Sequence, residues 1–238
     1  MIRIGRLRLL GRVGKGSGPP GLYRQMPRKR SLRKLGLMVA SLLAGFALSA
    51  PAAALEPSRP VKSLLELRHD RVMVQNWDLS CGAAALGTIL NYQYEDPVSE
   101  REIAKGLISR DKYLEDPSLV KRRLGFSLLD LKRYVEARGY EGIGYGKLKI
   151  EDLIERAPVI VPINFGYNHF VVFRGMRGNR VLLADPGWGN RTLTIDDFED
   201  AWLTYPEFGR VGFVVAQGDG RLPPNRLAPR SEDFVFLR

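Results

Sequence analysis

QNWDLSCGAAALGTIL, Gln75 to Leu90, changes character halfway along. Its first half is polar and turn-prone. From Cys81 onward it is dense in Ala, Leu and Ile at helical rather than alternating spacing, which predicts a helix from Cys81 to about Tyr92. Cys81 is the only cysteine in 238 residues. No internal disulfide can form, so the thiol is either a small buried hydrophobe or kept for its reactivity. The small Ala83, Ala84 and Ala85 let the helix pack closely in a core, which suits the first reading. The second has its own support: a helix N-terminus offers unpaired N–H groups and the positive end of the dipole, which favour a thiolate. Gly82 leaves room beside it for a substrate backbone.

Outward from this helix, Ser99 followed by Glu102 makes a capping box for a second helix ending near Ile108. Ser127 caps a third, SLLDLKRYVEAR, with Leu128, Leu131, Tyr134 and Val135 on one face and Gly139 as its stop. A short helix is predicted near Ile150 to Arg156. The period then changes. APVIVPINF, HFVVFRG, RVLLADP and GRVGFVVAQ are short runs rich in β-branched and aromatic residues, separated by turn residues, and they read as strands. TIDDFEDAW reads as a helix between the last two. Helices first and an antiparallel sheet afterwards give an α+β order.

A thiol nucleophile needs a base, and the chain has two histidines. His69, in LELRHDR, reads as solvated surface. His169 begins HFVVFRG, where a strand end can project an imidazole into a cleft or simply bury it. If Met176–Asn179 is the hairpin loop and Gly175 pairs with Arg180, Asp185 faces Phe170 and lies beside His169. A carboxylate there can orient an imidazole and stabilise its charged form. It is also the first residue of an Asp-Pro-Gly turn. Acyl transfer further needs donors for an oxyanion. The Cys81 amide and the side chain of Gln75, six residues upstream, are the candidates. Trp77, Tyr167 and Trp188 flank these segments, either as cleft walls or as ordinary core.

The N-terminal region has the layout of a signal peptide. A basic stretch, MPRKRSLRK, is followed by an apolar run of sixteen residues, Leu35 to Ala50, and then by A-x-A cleavage options ending at Ala54. A single membrane anchor is the competing reading, but the run is shorter than the roughly 20 residues a spanning helix needs. Residues 1–25 fit no part of the layout, so Met26 is an alternative start. Residues 1–54 hold eleven Lys or Arg and no acid; removing those from 37 basic residues leaves 26, equal to the 26 acidic ones. The pI near 9.9 therefore belongs to the leader, and a nucleic-acid partner is not indicated. The early GRVGKGS, Gly11 to Ser17, lacks the spacing of a phosphate loop. Leu55 to Gly220 is expected as one domain, and residues 221–238, Pro- and Arg-rich, as a surface tail. The expected location is the periplasm, with membrane contact only if the leader is retained. No metal or organic cofactor is implied.

Gln75-x5-Cys81-Gly82, His169-Phe170-Val171-Val172 and Asp185-Pro186 together resemble the bacteriocin-processing, double-glycine cysteine peptidase family. The resemblance runs from about Val72 to Val215. It implies a papain-like fold, Cys81 as nucleophile, His169 as base, Asp185 as orienting residue and Gln75 as oxyanion donor. Transporter-fused members carry an acidic residue directly before the cysteine, where this chain has Ser80, with Asp78 two positions earlier. Asp-x-Ser-Cys-Gly looks more like the stand-alone, exported members. With no Walker motif in the sequence, leader cleavage at an exporter's cytosolic face is not the expected role. The expected substrate is a secreted peptide or protein, cut at a glycine-containing site, of a secretion or fibre-assembly system. Two alternatives stand beside this: a peptidase-like module that binds such a segment without cutting it, and another papain-like chemistry such as amide hydrolysis or transpeptidation.

Overall fold

A computed structural model describes residues 62–109, 111–116, 118–122 and 125–234. The leader with its apolar run, its cleavage sites and Met26 lies outside them. Helices come first in the chain: α1 (Leu64–Arg68), α2 (Cys81–Gln93), α3 (Glu100–Ile108), α4 (Asp111–Glu115), α5 (Ser118–Arg122) and α6 (Leu128–Ala137). The strands follow: β1 (Glu141–Tyr145), then, after α7 (Ile150–Arg156), β2 (Val159–Asn164), β3 (Asn168–Arg177), β4 (Arg180–Asp185) and β5 (Gly189–Thr194). Then come α8 (Ile195–Ala201), the small pair β6 (Thr204–Tyr205) and β7 (Gly209–Arg210), and β8 (Gly212–Ala216), with a single 3-10 turn at Ser231–Phe234 after them. This is the expected α+β order, with β1, β5 and the small β6–β7 pair added to the four predicted strands.

The caps act where the sequence puts them. Ser99 with Glu102 and Ser127 with Asp130 form reciprocal capping boxes, each satisfying two backbone donors that a helix start leaves open. Gly139, at φ +87°, ends the chain's run after α6. The sheet is antiparallel in the order β1-β8-β2-β3-β4-β5. Because alternate strand residues point to opposite faces, it carries two cores. Ile160, Val172, Ala184 and Phe213 pack with Ala85, Leu86 and Ile89 of α2. Val161, Val171, Phe173 and Leu183 pack with Leu153 of α7 and Phe198 of α8. So β2 is buried on both faces, which explains its unbroken apolar run.

The β3–β4 hairpin corrects the register read from sequence. Gly175 pairs with Leu182, not Arg180, because pairing runs on to Arg177 opposite Arg180. The connection is only Gly178-Asn179, with Gly178 at φ +56°. The register shifts at a bulge between Phe173 and Gly175. Gly175 itself adopts φ +142°, and Pro229 lies 2.7 Å from where its Cβ would stand. Beyond the bulge Val172 faces Ala184. Continuing that pairing sets Asp185 opposite Val171, so His169 becomes its diagonal neighbour.

Residues after Gly220, expected as a surface tail, reach the interior. Leu227 is fully buried and Asp233 nearly so. The buried guanidinium of Arg174 donates from Nε to the Leu227 carbonyl (2.9 Å) and from Nη1 to Asn190 Oδ1 (2.6 Å), and Asn225 Nδ2 donates to the Arg174 carbonyl (2.8 Å). Asp233 pairs with Arg71 and faces Arg174.

Candidate active site

Cys81 is the first residue of α2, and its helix is buried along nearly its whole length. The preceding Ser80 does not cap that helix with its side chain. Its hydroxyl lies 2.6 Å from the Trp77 carbonyl and 2.5 Å from Glu100 Oε1 instead. The first intrahelical bond is Ala84 N to the Ser80 carbonyl (3.0 Å). Among the described residues nothing accepts from the amides of Cys81, Gly82 or Ala83, so the open donors of a helix start sit beside the thiol.

His169, the second residue of β3, stands opposite Ile163 of β2. Its Nε2 lies 2.7 Å from Asp185 Oδ1, which leaves Nδ1 as the ring nitrogen for the thiol. Exposure is 7% for Cys81, 5% for His169 and 2% for Asp185, so bulk water barely screens this array. Burial of the imidazole works against its charge. The hydrogen bonds to Asp185 and Cys81, with the charges of both, outweigh it and push the His169 pKa up to about 9. Asp185 is held in turn. Its Oδ1 accepts from Gly187 N at 2.8 Å, and its Oδ2 faces Arg191 Nε at 3.4 Å. The Asp-Pro-Gly turn and the orienting geometry are therefore both present in one residue.

Gln75 is tied to the same place through its backbone, since its amide donates to the Pro186 carbonyl (2.8 Å) next to Asp185. Its side-chain Nε2 donates to the Trp77 carbonyl (3.1 Å), while the buried Oε1 has no partner among the described residues. One Nε2 hydrogen is thus used, and the second is left over.

The cleft at Cys81 and His169 has a volume of about 130 Å³ and is walled by Phe126, Pro162, Phe170, Leu203 and Tyr205. None of the three flanking aromatics is a core residue. Tyr167 is exposed, with its ring edge-on to His169 at 5.5 Å. Trp188 is exposed under the Arg68 guanidinium, 4.0 Å from its ring centroid. Trp77 is also exposed and lines a separate groove with Arg101, Lys105 and Ile108. Gly82 faces Phe170 of the cleft wall, 3.4 Å from where a Cβ would stand. His69 is exposed at the C-terminal cap of α1, away from the cleft lining.

Sequence reading did not find Glu100, Arg191, Phe126 or Tyr205. Glu100 shares the first turn of α3 with Glu102, and nothing in its local sequence sets it apart. Arg191 belongs to β5, whose polar sequence gave no strand signal.

Three comparisons bear on this geometry. The model of the Peptidase C39 family matches residues 70–206, a span that contains Gln75, Cys81, His169 and Asp185. A protein of Pseudomonas aeruginosa named "Probable functional amyloid protease FapD" is 36% identical over 180 residues, 73% of this chain and 75% of its own. A protein of the same name from Pseudomonas fluorescens is 37% identical over 179 residues, 72% of this chain and 76% of its own. Among solved structures, a double glycine motif protease from an AMS/PCAT transporter, in complex with the leader peptide, is 24% identical. That alignment has a TM-score of 0.48 and covers 61% of this chain and 90% of the other.

Proposed function

The chain belongs to the Peptidase C39 family and is a cysteine peptidase, and on that premise we propose that it is exported to the periplasm and cuts a secreted peptide or protein after a glycine-containing site. The meeting of Cys81 and His169 in one narrow cleft, with Asp185 held against the imidazole, carries this reading. Cys81 Sγ adds to the scissile carbonyl carbon while His169 holds the proton. The carbonyl π pair moves onto oxygen, which meets the open amides at the start of α2 and the spare Nε2 hydrogen of Gln75. Collapse breaks the C–N bond, and the departing nitrogen takes the proton from His169. Water then gives a proton to His169, attacks the thioester and releases the thiolate again. Asp185 keeps the ring oriented and its charged form favoured throughout.

Three observations support the finer terms. A cleft this small, walled by aromatic and proline side chains, favours a residue without a side chain beside the scissile bond. The basic, apolar and A-x-A order of Met26 to Ala54 supports export. The name of the two Pseudomonas relatives supports a substrate from a fibre-assembly system. Mapping N-termini in the secreted proteins of a wild-type and a Cys81→Ala strain tests all three together. At least one terminus following a glycine should vanish in the mutant. Identical sets of termini would overturn the reading and leave a binding module in its place.

A further inference from the structure

Glu100, the first residue of α3, is only 4% exposed, and among the described residues no cation pairs with it. Burying a carboxylate is costly unless donors satisfy it, and here all of them come from one loop. Its two oxygens accept from the Asn76 amide (2.9 and 3.1 Å), Oε2 also from Asn76 Nδ2 (2.8 Å), and Oε1 lies 2.5 Å from Ser80 Oγ. Those partners bracket the segment between Gln75 and Cys81. The same segment carries Leu79 at φ +66°, a left-handed conformation unfavourable for a bulky residue, so it needs an anchor to keep its shape. At one end the Gln75 amide points its Nε2 at the Trp77 carbonyl, and at the other Ser80 contacts that same carbonyl.

We propose that Glu100 is a positioning residue of the oxyanion site: by clamping Asn76 and Ser80 it fixes the Gln75 side chain relative to Cys81. This rests on the peptidase reading of the site. Among the described residues the clamp makes no hydrogen bond or ion pair with His169 or Asp185, so it serves the oxyanion and leaves thiolate formation to the histidine. That separation gives the test. Alkylation by iodoacetamide needs only the thiolate. Reversible addition of Cys81 Sγ to N-acetylglycinal also places the carbonyl π pair on an oxygen that needs donors.

Glu100→Gln keeps the size of the side chain but turns an N–H toward the Asn76 donors. It should weaken N-acetylglycinal about 30-fold while the alkylation rate at pH 6 stays within about 3-fold of wild type. Unchanged aldehyde affinity, or loss of alkylation in step with affinity, would overturn the proposal. Should Glu100→Gln fail to fold, Asn76→Ala decides: about 5-fold weaker aldehyde binding is expected, and wild-type affinity overturns it. Wild-type protein that binds no aldehyde overturns it as well. Aldehyde binding without any secreted substrate would instead strike only at the peptidase reading.

Discussion

A histidine held protonated up to about pH 9 gives both the chemistry and the fold a pH signature. Its folded pKa stands above the unfolded value near 6.5. Protonation therefore stabilises the fold fully below about pH 6.5, and that contribution is lost as pH rises through about 9. The gap in Tm between wild type and His169→Ala should be widest near pH 6 and should shrink by pH 10, which calorimetry at the two pH values checks. Iodoacetamide should alkylate wild-type Cys81 rapidly at pH 6, and His169→Ala should slow it at least about 10-fold, because no imidazolium then accompanies the thiolate. A rate unmoved by the substitution would mean an ordinary thiol. Asp185→Asn keeps the shape but not the charge that faces His169 Nε2 and Arg191. Turnover of a cleavable peptide should fall by about 10³-fold or more with little change in KM.

The elements meet closely where glycine allows it. A Cβ on Gly142 of β1 would stand 2.9 Å from Lys132 Cα in α6 and 3.0 Å from Phe213 of β8. The first of these is backbone and cannot swing aside, so Gly142→Ala must push strand and helix apart. We expect a loss of about 1–3 kcal/mol, read as a lower urea midpoint with an unchanged slope. At Gly82 the outcome differs, since its nearest neighbour would be Phe170 Cδ2 at 3.4 Å. An alanine fits there without moving the backbone. The same packing logic explains why the two further strands of the main sheet, β1 and β5, were silent. EGIGY has two glycines in five residues, and GNRTLT is an edge strand whose Asn190 and Arg191 are spent on Arg174 and Asp185.

Across the whole molecule, the segment after Gly220 ties the ends of the domain together. Asp233 and the Arg226 carbonyl hold Arg71, and Leu227 and Asn225 hold Arg174. Asn190 joins them by donating to the Leu67 and Asp70 carbonyls. Deleting residues 221–238 takes the Leu227 carbonyl and Asp233 from the buried Arg174 guanidinium and leaves it Asn190. Such a loss costs about 3–5 kcal/mol, so the truncated protein should melt well below the full chain or be recovered insoluble. An unchanged Tm would show that these contacts add nothing.

Local contacts were legible in the residues alone. A capping box spans three residues and a strand alternates every two, so α2, α3, α6, α7, α8 and four strands could be read from short windows. Cys81, His169 and Asp185 were legible for another reason: thiol and imidazole are scarce in this chain, and the aspartate lies one hairpin away from the histidine. Folding settled what depends on partners far along the chain. The bulge at Arg174 brought His169 and Asp185 into diagonal register, and the packing of α3 set Glu100 under a loop more than twenty residues earlier. The return of residues 225–233 to Arg174 was equally invisible, because a buried charge chooses its partners by the geometry of packing and not by spacing in sequence.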